Sequence, residues 1–168
     1  MSAENAGIPS PLLSVRGLSL SFATPGGRAT VLGGISFDIA RSQTLALVGE
    51  SGSGKSMTAL AIMRLLPRGA RVDAGHVTLH DRETPETLDE KSASDMRRVR
   101  GARIAMIFQE PMTSLNPVLT IGDQLIETAR LHRTDARTLR DARSLAVSAL
   151  EETGIPSAGD RLRSYPHE

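Results

Sequence analysis

The stretch Gly49-Glu50-Ser51-Gly52-Ser53-Gly54-Lys55-Ser56 fits the spacing G-x-x-x-x-G-K-[ST] of a phosphate-binding loop, or P-loop. A short, continuously apolar run, Thr44 to Val48, leads into it and reads as a central strand buried on both faces. A stretch of helical composition, Ser56 to Leu66, leaves it and is ended by Pro67. Each residue type has a physical task. Glycines let the backbone turn and bring successive N–H groups around phosphate oxygens. The helix start adds free N–H groups and the positive end of its dipole. Lys55 supplies a flexible point charge for the β- and γ-phosphates, and Ser56 a hydroxyl for Mg²⁺. A chance glycine-rich turn of this form arises in about three chains per thousand at this length and composition. The lysine sharpens the reading, because Lys55 and Lys91 are the only lysines among 20 basic residues. The loop and its next residue, Met57, are the candidate contacts to a nucleoside triphosphate.

On the N-terminal side, residues 1–11 read as a flexible tail. Leu13, Val15, Leu18, Leu20 and Phe22 then mark one or two strands, with Gly17 as a bend. Pro25-Gly26-Gly27 signals a turn, and Ile35-Ser36-Phe37-Asp38-Ile39 alternates as a half-buried strand does. Beyond the loop, His76 to His80 is a weaker strand after Gly75, and Asp81 to Glu90 is acidic and turn-rich. Met96 to Arg103 is basic, and Ile104 to Phe108 reads as another buried strand. After Pro117 the pattern turns helical. Thr120 caps a helix to about Leu131, with Ile121, Leu125, Ile126 and Ala129 on one face. Asp135 opens a longer helix whose face carries Leu139, Ala142, Leu145, Ala149 and Leu150, with Gly154 at its stop.

Composition narrows the function. The 168 residues hold three Phe, one Tyr and no Trp, too few for a platform that stacks single-stranded bases. A net charge of +1 argues against a general polyanion surface. Arg97, Arg98, Arg100 and Arg103 follow the acidic run from Asp81 to Glu90, so that region reads as a mixed-charge surface rather than a nucleic-acid patch. No cysteine is present, which removes disulfides, thiol catalysis and Cys-based zinc sites. His76 and His80 lack an obvious third ligand nearby. No secretory leader or bilayer-length apolar run is visible, so a cytoplasmic chain without direct membrane insertion is expected.

A second segment separates this chain from other P-loop proteins. Ile104-Ala-Met-Ile-Phe108-Gln109-Glu-Pro-Met-Thr-Ser-Leu-Asn-Pro117 closely resembles the Q-loop of ATP-binding cassette (ABC) ATPases, and its wording is similar to the oligopeptide and dipeptide importer branch. The loop at Gly49–Ser56 resembles that branch as well, and the likeness runs from about Leu13 to Glu168. It implies an α/β P-loop NTPase fold: the N-terminal part of an ABC ATPase domain, with its sheet incomplete. Residues 12–115 are expected to form a strand-rich nucleotide-binding core and 116–168 part of the α-helical subdomain.

The resemblance also implies roles. Gln109 matches the glutamine that approaches Mg²⁺ and the attacking water, and it joins Lys55 as a candidate catalytic residue. Ser56 and Gln109 are the candidate Mg²⁺ contacts. Phe22 falls where the family stacks an aromatic on adenine, and equally suits a core residue at a strand end. Implied partners are the transmembrane permease subunits of an importer and a second ATPase subunit, giving a homo- or heterodimer at the inner face of the cell membrane. Implied ligands are ATP and Mg²⁺.

Arg163-Ser-Tyr165-Pro166-His167-Glu168 resembles the run just before the family's signature motif. The signature, the Walker B aspartate, the catalytic glutamate and the switch histidine have no counterpart in the 168 residues. The expectation is therefore a chain truncated before the signature, inactive alone, from a parent that couples ATP hydrolysis to uptake. Two other readings stay open: a non-catalytic nucleotide- or partner-binding fragment, and a soluble ABC ATPase. Peptides, nickel chelates and glutathione all remain possible cargoes.

Overall fold

The computed structural model describes residues 11–108 and 114–168. The chain divides into two compact units, one ending at Met96 and the other running from Arg97 to Glu168.

The first unit is organised by strand β1 (Pro11–Thr24), which lies between β2 (Gly27–Ala40) and β3 (Ala70–Leu79). A two-residue strand, β4 (Glu86–Thr87), completes an antiparallel sheet of order β2-β1-β3-β4. Apolar residues on β1 set the register: Val15 stands opposite Phe37 and Val77, and Leu20 opposite Leu32 and Val72. Val15, Leu18, Leu20, Val77 and Leu79 are buried. Burying each such side chain contributes about 1.5–3 kcal/mol, which makes β1 the core of this unit. The pairing slips on both sides of Gly17, the bend expected from the sequence. There the strands come unusually close: a Cβ on Gly75 (φ 95°) would stand 2.5 Å from the Gly17 carbonyl and Leu18 Cα. Any side chain at position 75 would push β3 off β1.

The Pro25-Gly26 turn forms as expected, and β2 starts directly after it, well before Ile35. Helix α1 (Lys55–Ile62) follows the glycine-rich loop but stops short of Pro67. It ends in a left-handed turn at Arg64 (φ 52°), so backbone geometry rather than the proline terminates it.

Two expected strands do not form. Neither Thr44–Val48 nor Ile104–Phe108 forms a ladder strand, and only an isolated bridge from Ile104 to Arg100 touches the second segment. Neither segment is buried: Val48 is 94% exposed and Ile107 93%. Their apolar character suits strands covered on both faces, but no described strand lies beside them to accept their hydrogen bonds. The sheet is thus incomplete, and the strands that do pair are those of the antiparallel unit.

The second unit is helical. Helix α2 (Ala93–Val99) spans the junction of the units, followed by α3 (Ile121–His132), α4 (Leu139–Glu152) and α5 (Ala158–Arg161). Thr120 caps α3 as expected, through a reciprocal box with Asp123. The start of α4 is corrected: its cap is Thr138 with Asp141, whereas Asp135 is held outside the helix by Arg133 at 2.7 Å. The buried stripe of α4 is Ala142 and Ala146, with Leu145 and Leu150 half-buried; Leu139 and Ala149 are exposed. Helices α3 and α4 pack on each other, and the small alanines permit the approach.

Candidate phosphate-binding loop

The loop between Val48 and α1 folds around its own lysine. Lys55 Nζ donates to the carbonyl oxygens of Gly49 and Glu50, both at 2.7 Å, and to Ser53 Oγ at 3.1 Å. Ser53 N donates to Glu50 O at 3.2 Å, which makes the turn inside the loop. Gly49, Glu50, Ser53 and Lys55 are thereby brought together. Ser51 and Gly52 lie exposed on the rim, and Ser56 is exposed on the first turn of α1. Met57 is half-buried one residue further along.

Glycine is required where the loop meets the helix. Gly54 is the N-cap of α1, with φ 89°, and a Cβ there would lie 2.5 Å from Leu32 Cδ2. At Gly49, a Cβ would lie 2.6 Å from Ser53 Oγ and project into the turn toward Lys55 Nζ. The concavity is one that side chains would fill, and its donor set is backbone N–H, hydroxyl and ammonium. That chemistry suits a phosphate anion.

The start of α1 differs in kind from the other long helices. No side chain caps it. The corresponding N–H groups of α3 and α4 are met by Thr120 and Thr138. At α3, Ile121 N and Gly122 N also donate to Ser164 O and Leu162 O, both at 2.9 Å. Buried Thr58 anchors the first turn of α1 by donating Oγ1 back to Gly54 O at 3.0 Å. Sequence reasoning passed over Thr58, and over Leu32, which packs on Gly54. The loop and the start of α1 border a cleft of about 460 Å³ lined by Leu32, Ile35, Phe37, Leu45, Leu47, Val48, Ser53, Lys55 and Thr58, among others.

Phe22 lies at the far end of the β1–β2 hairpin, half-buried and opposite Ala29 and Ala70. A Cβ on Gly69 would meet its ring at 3.2 Å, and it is not among the residues lining the cleft at Lys55. Gln109 lies outside the described residues. His76 pairs with Asp89 at 3.1 Å, and His80 Nε2 is buried without a hydrogen-bond partner, so the two histidines do not share a ligand. No group of three potential metal-binding side chains occurs among the described residues. No helix among them is long and apolar enough to cross a membrane.

An α/β chain whose glycine-rich loop opens an uncapped helix has the arrangement of a P-loop protein. The chain belongs to the ABC transporter family, whose model matches residues 32–167. It is 47% identical over 159 residues to the glutathione import ATP-binding protein GsiA of Salmonella choleraesuis, covering 94% of this chain and 25% of that protein. It is 45% identical over 158 residues to the dipeptide transport ATP-binding protein DppD of Bacillus subtilis, covering 94% and 45% respectively. The chain therefore spans between a quarter and a half of these relatives. Among solved structures it resembles a dimeric ATP-binding cassette in a post-hydrolysis state with ADP and Pi. That match has a TM-score of 0.76 at 17% identity and covers 92% of this chain and 62% of that one. It supports the fold.

Proposed function

We propose that Gly49–Met57 holds the phosphates of ATP and that the parent protein uses ATP hydrolysis to drive import of peptides or related small solutes. The observation that carries this reading is the start of α1. Its N–H groups carry no side-chain cap and stand beside Lys55 at the end of a loop only glycine can form. Lys55 exchanges its carbonyl partners for phosphate oxygens, and the uncapped amides receive the same anion. Ser56, with Gln109, holds Mg²⁺, which when bound neutralises phosphate charge. Phe22 carries the adenine ring. In this assignment residues 12–115 form the nucleotide-binding part and 116–168 the start of the helical part that meets a permease.

The importer branch is supported by the names of the relatives, which are import and transport ATP-binding proteins. The proposed setting is the cytoplasmic face of the membrane, docked on permease subunits and paired with a second ATPase subunit. For the 168 residues by themselves we propose nucleotide binding without turnover. Leu45, Leu47 and Val48, which lead into the loop, are exposed, so the backbone entering the loop is not held in a sheet core and water is not excluded there. The test is titration of the chain with a fluorescent ATP analogue and Mg²⁺, with steady-state phosphate release measured alongside. Saturable, Lys55-dependent binding without phosphate release supports both parts. Lys55-dependent release by the pure chain overturns the second.

A further inference from the structure

Helix α1 is eight residues long, about 12 Å at 1.5 Å per residue, so any tilt at its C-terminal end is felt at the phosphate loop. That end is built in an unusual way. Leu65 N donates to Leu60 O at 2.8 Å and Arg64 N to Ala61 O at 3.0 Å, the paired bonds of a Schellman stop. The residue that turns left-handed in such a stop is most often glycine, because a Cβ strains there. Here it is Arg64, with φ 52°.

The side chain explains the choice. Arg64 Nη1 donates to Leu88 O at 3.0 Å and also to Lys91 O. These carbonyls belong to a segment that is itself fixed. Leu88 is fully buried and its N–H donates to Val77 O at 2.8 Å, and Lys91 pairs with Glu86 at 2.7 Å. A chain of bonds thus runs from β3 through Leu88 and Lys91 to Arg64 and α1. The strained backbone turns Arg64 so that one guanidinium nitrogen reaches both carbonyls.

We propose that Arg64 is a positioning residue for nucleotide: it clamps the C-terminal end of α1 to the Leu88–Lys91 segment and so holds Lys55 and the first amides of the helix in place. This rests on the reading of Gly49–Met57 as the ATP site. Preorganised donors bind an anion more tightly than donors that must first be ordered, so the clamp is felt in affinity. Its geometry also separates it from a merely structural helix stop. Glycine at position 64 relieves the backbone strain and serves as a stop at least as well, but it cannot reach the carbonyls.

The experiment compares the full 168-residue chain with Arg64→Gly, Arg64→Lys and Lys55→Ala. It measures thermal midpoint, affinity for a fluorescent ATP analogue with Mg²⁺, and amide exchange at Ser56–Thr58. The expected result is that Arg64→Gly keeps or raises the midpoint, weakens nucleotide binding by about fivefold to tenfold, and speeds amide exchange at the helix start. Arg64→Lys, a point donor without the fork, recovers part of the loss. Affinity and exchange in Arg64→Gly equal to the unmodified chain overturn the proposal. If the unmodified chain and Lys55→Ala bind nucleotide alike, it is the ATP-site reading that fails, and the exchange rates still decide whether Arg64 holds the helix start. If Arg64→Gly does not fold, Arg64→Lys decides: weaker binding and faster exchange than the unmodified chain support the clamp, and values equal to the unmodified chain overturn it.

Discussion

Lys55 Nζ lies 2.7 Å from the carbonyl oxygen of Gly49, so the cation of the loop closes back onto the loop's first residue. A lysine held by carbonyl oxygens is positioned but not neutralised, since neither partner carries formal charge. An arriving phosphate offers it a full negative charge in the same place. The loop is thus preformed around its cation.

Gly54→Ala tests the close approach at the start of α1. The new Cβ meets Leu32 Cδ2 at 2.5 Å in a backbone with φ 89°, and both effects destabilise. The expected loss is about 1–3 kcal/mol of folding stability. Urea unfolding followed by far-UV circular dichroism measures it. A variant as stable as the parent contradicts the packing described.

Thr120→Ala and Thr138→Ala each remove one capping box, with Thr120 accepting from Asp123 N and Thr138 from Asp141 N. Each is expected to lower stability by about 1 kcal/mol. Asp135→Ala, one turn before α4, is expected to change little, because its partner Arg133 is an exposed surface pair. Urea midpoints of the three variants, compared directly, distinguish the cap from the decoy.

Acid sensitivity follows from two carboxylates. Arg16 and Ser14 hold Asp38 below the usual carboxylate range, and Ser21 and Arg71 do the same for Asp73. A carboxyl lowered in the folded state stabilises fully above its unfolded pKa, about 3.9, and that contribution is lost as pH falls through the folded value. Stability is therefore expected to decline below about pH 4, and Asp38→Asn to flatten part of that decline. Thermal midpoints between acid and neutral pH check the sign; an Asp38→Asn profile parallel to the parent's contradicts it.

What could be read from sequence depended on whether the cause was local. The turn between β1 and β2 and the bend at Gly17 were legible because Pro25-Gly26-Gly27 and Gly17 act within a few residues, whereas β2 was read only over Ile35–Ile39, where it alternates. The cap at Thr120 was legible for the same reason. At α4 the sequence pointed to Asp135, and only the structure shows Asp135 engaged by Arg133 while Thr138 caps the helix in a box with Asp141. The run Thr44–Val48 failed as a strand for a non-local reason: its apolar pattern reports the covering it suits, and no described strand supplies that covering. The turn that Lys55 and the glycines of the candidate loop make was legible from spacing alone. Arg64 was not, because its partners lie at positions 88 and 91 and its backbone sign leaves no trace in composition.

The central claim is that Gly49–Met57 is a phosphate site, and equilibrium titration of the chain and its Lys55→Ala variant with a fluorescent ATP analogue and Mg²⁺ tests it most directly. Saturable binding that weakens by about tenfold to a hundredfold on losing the ammonium is the predicted result. Equal binding by the two chains, or no saturable binding by a folded parent chain, contradicts it.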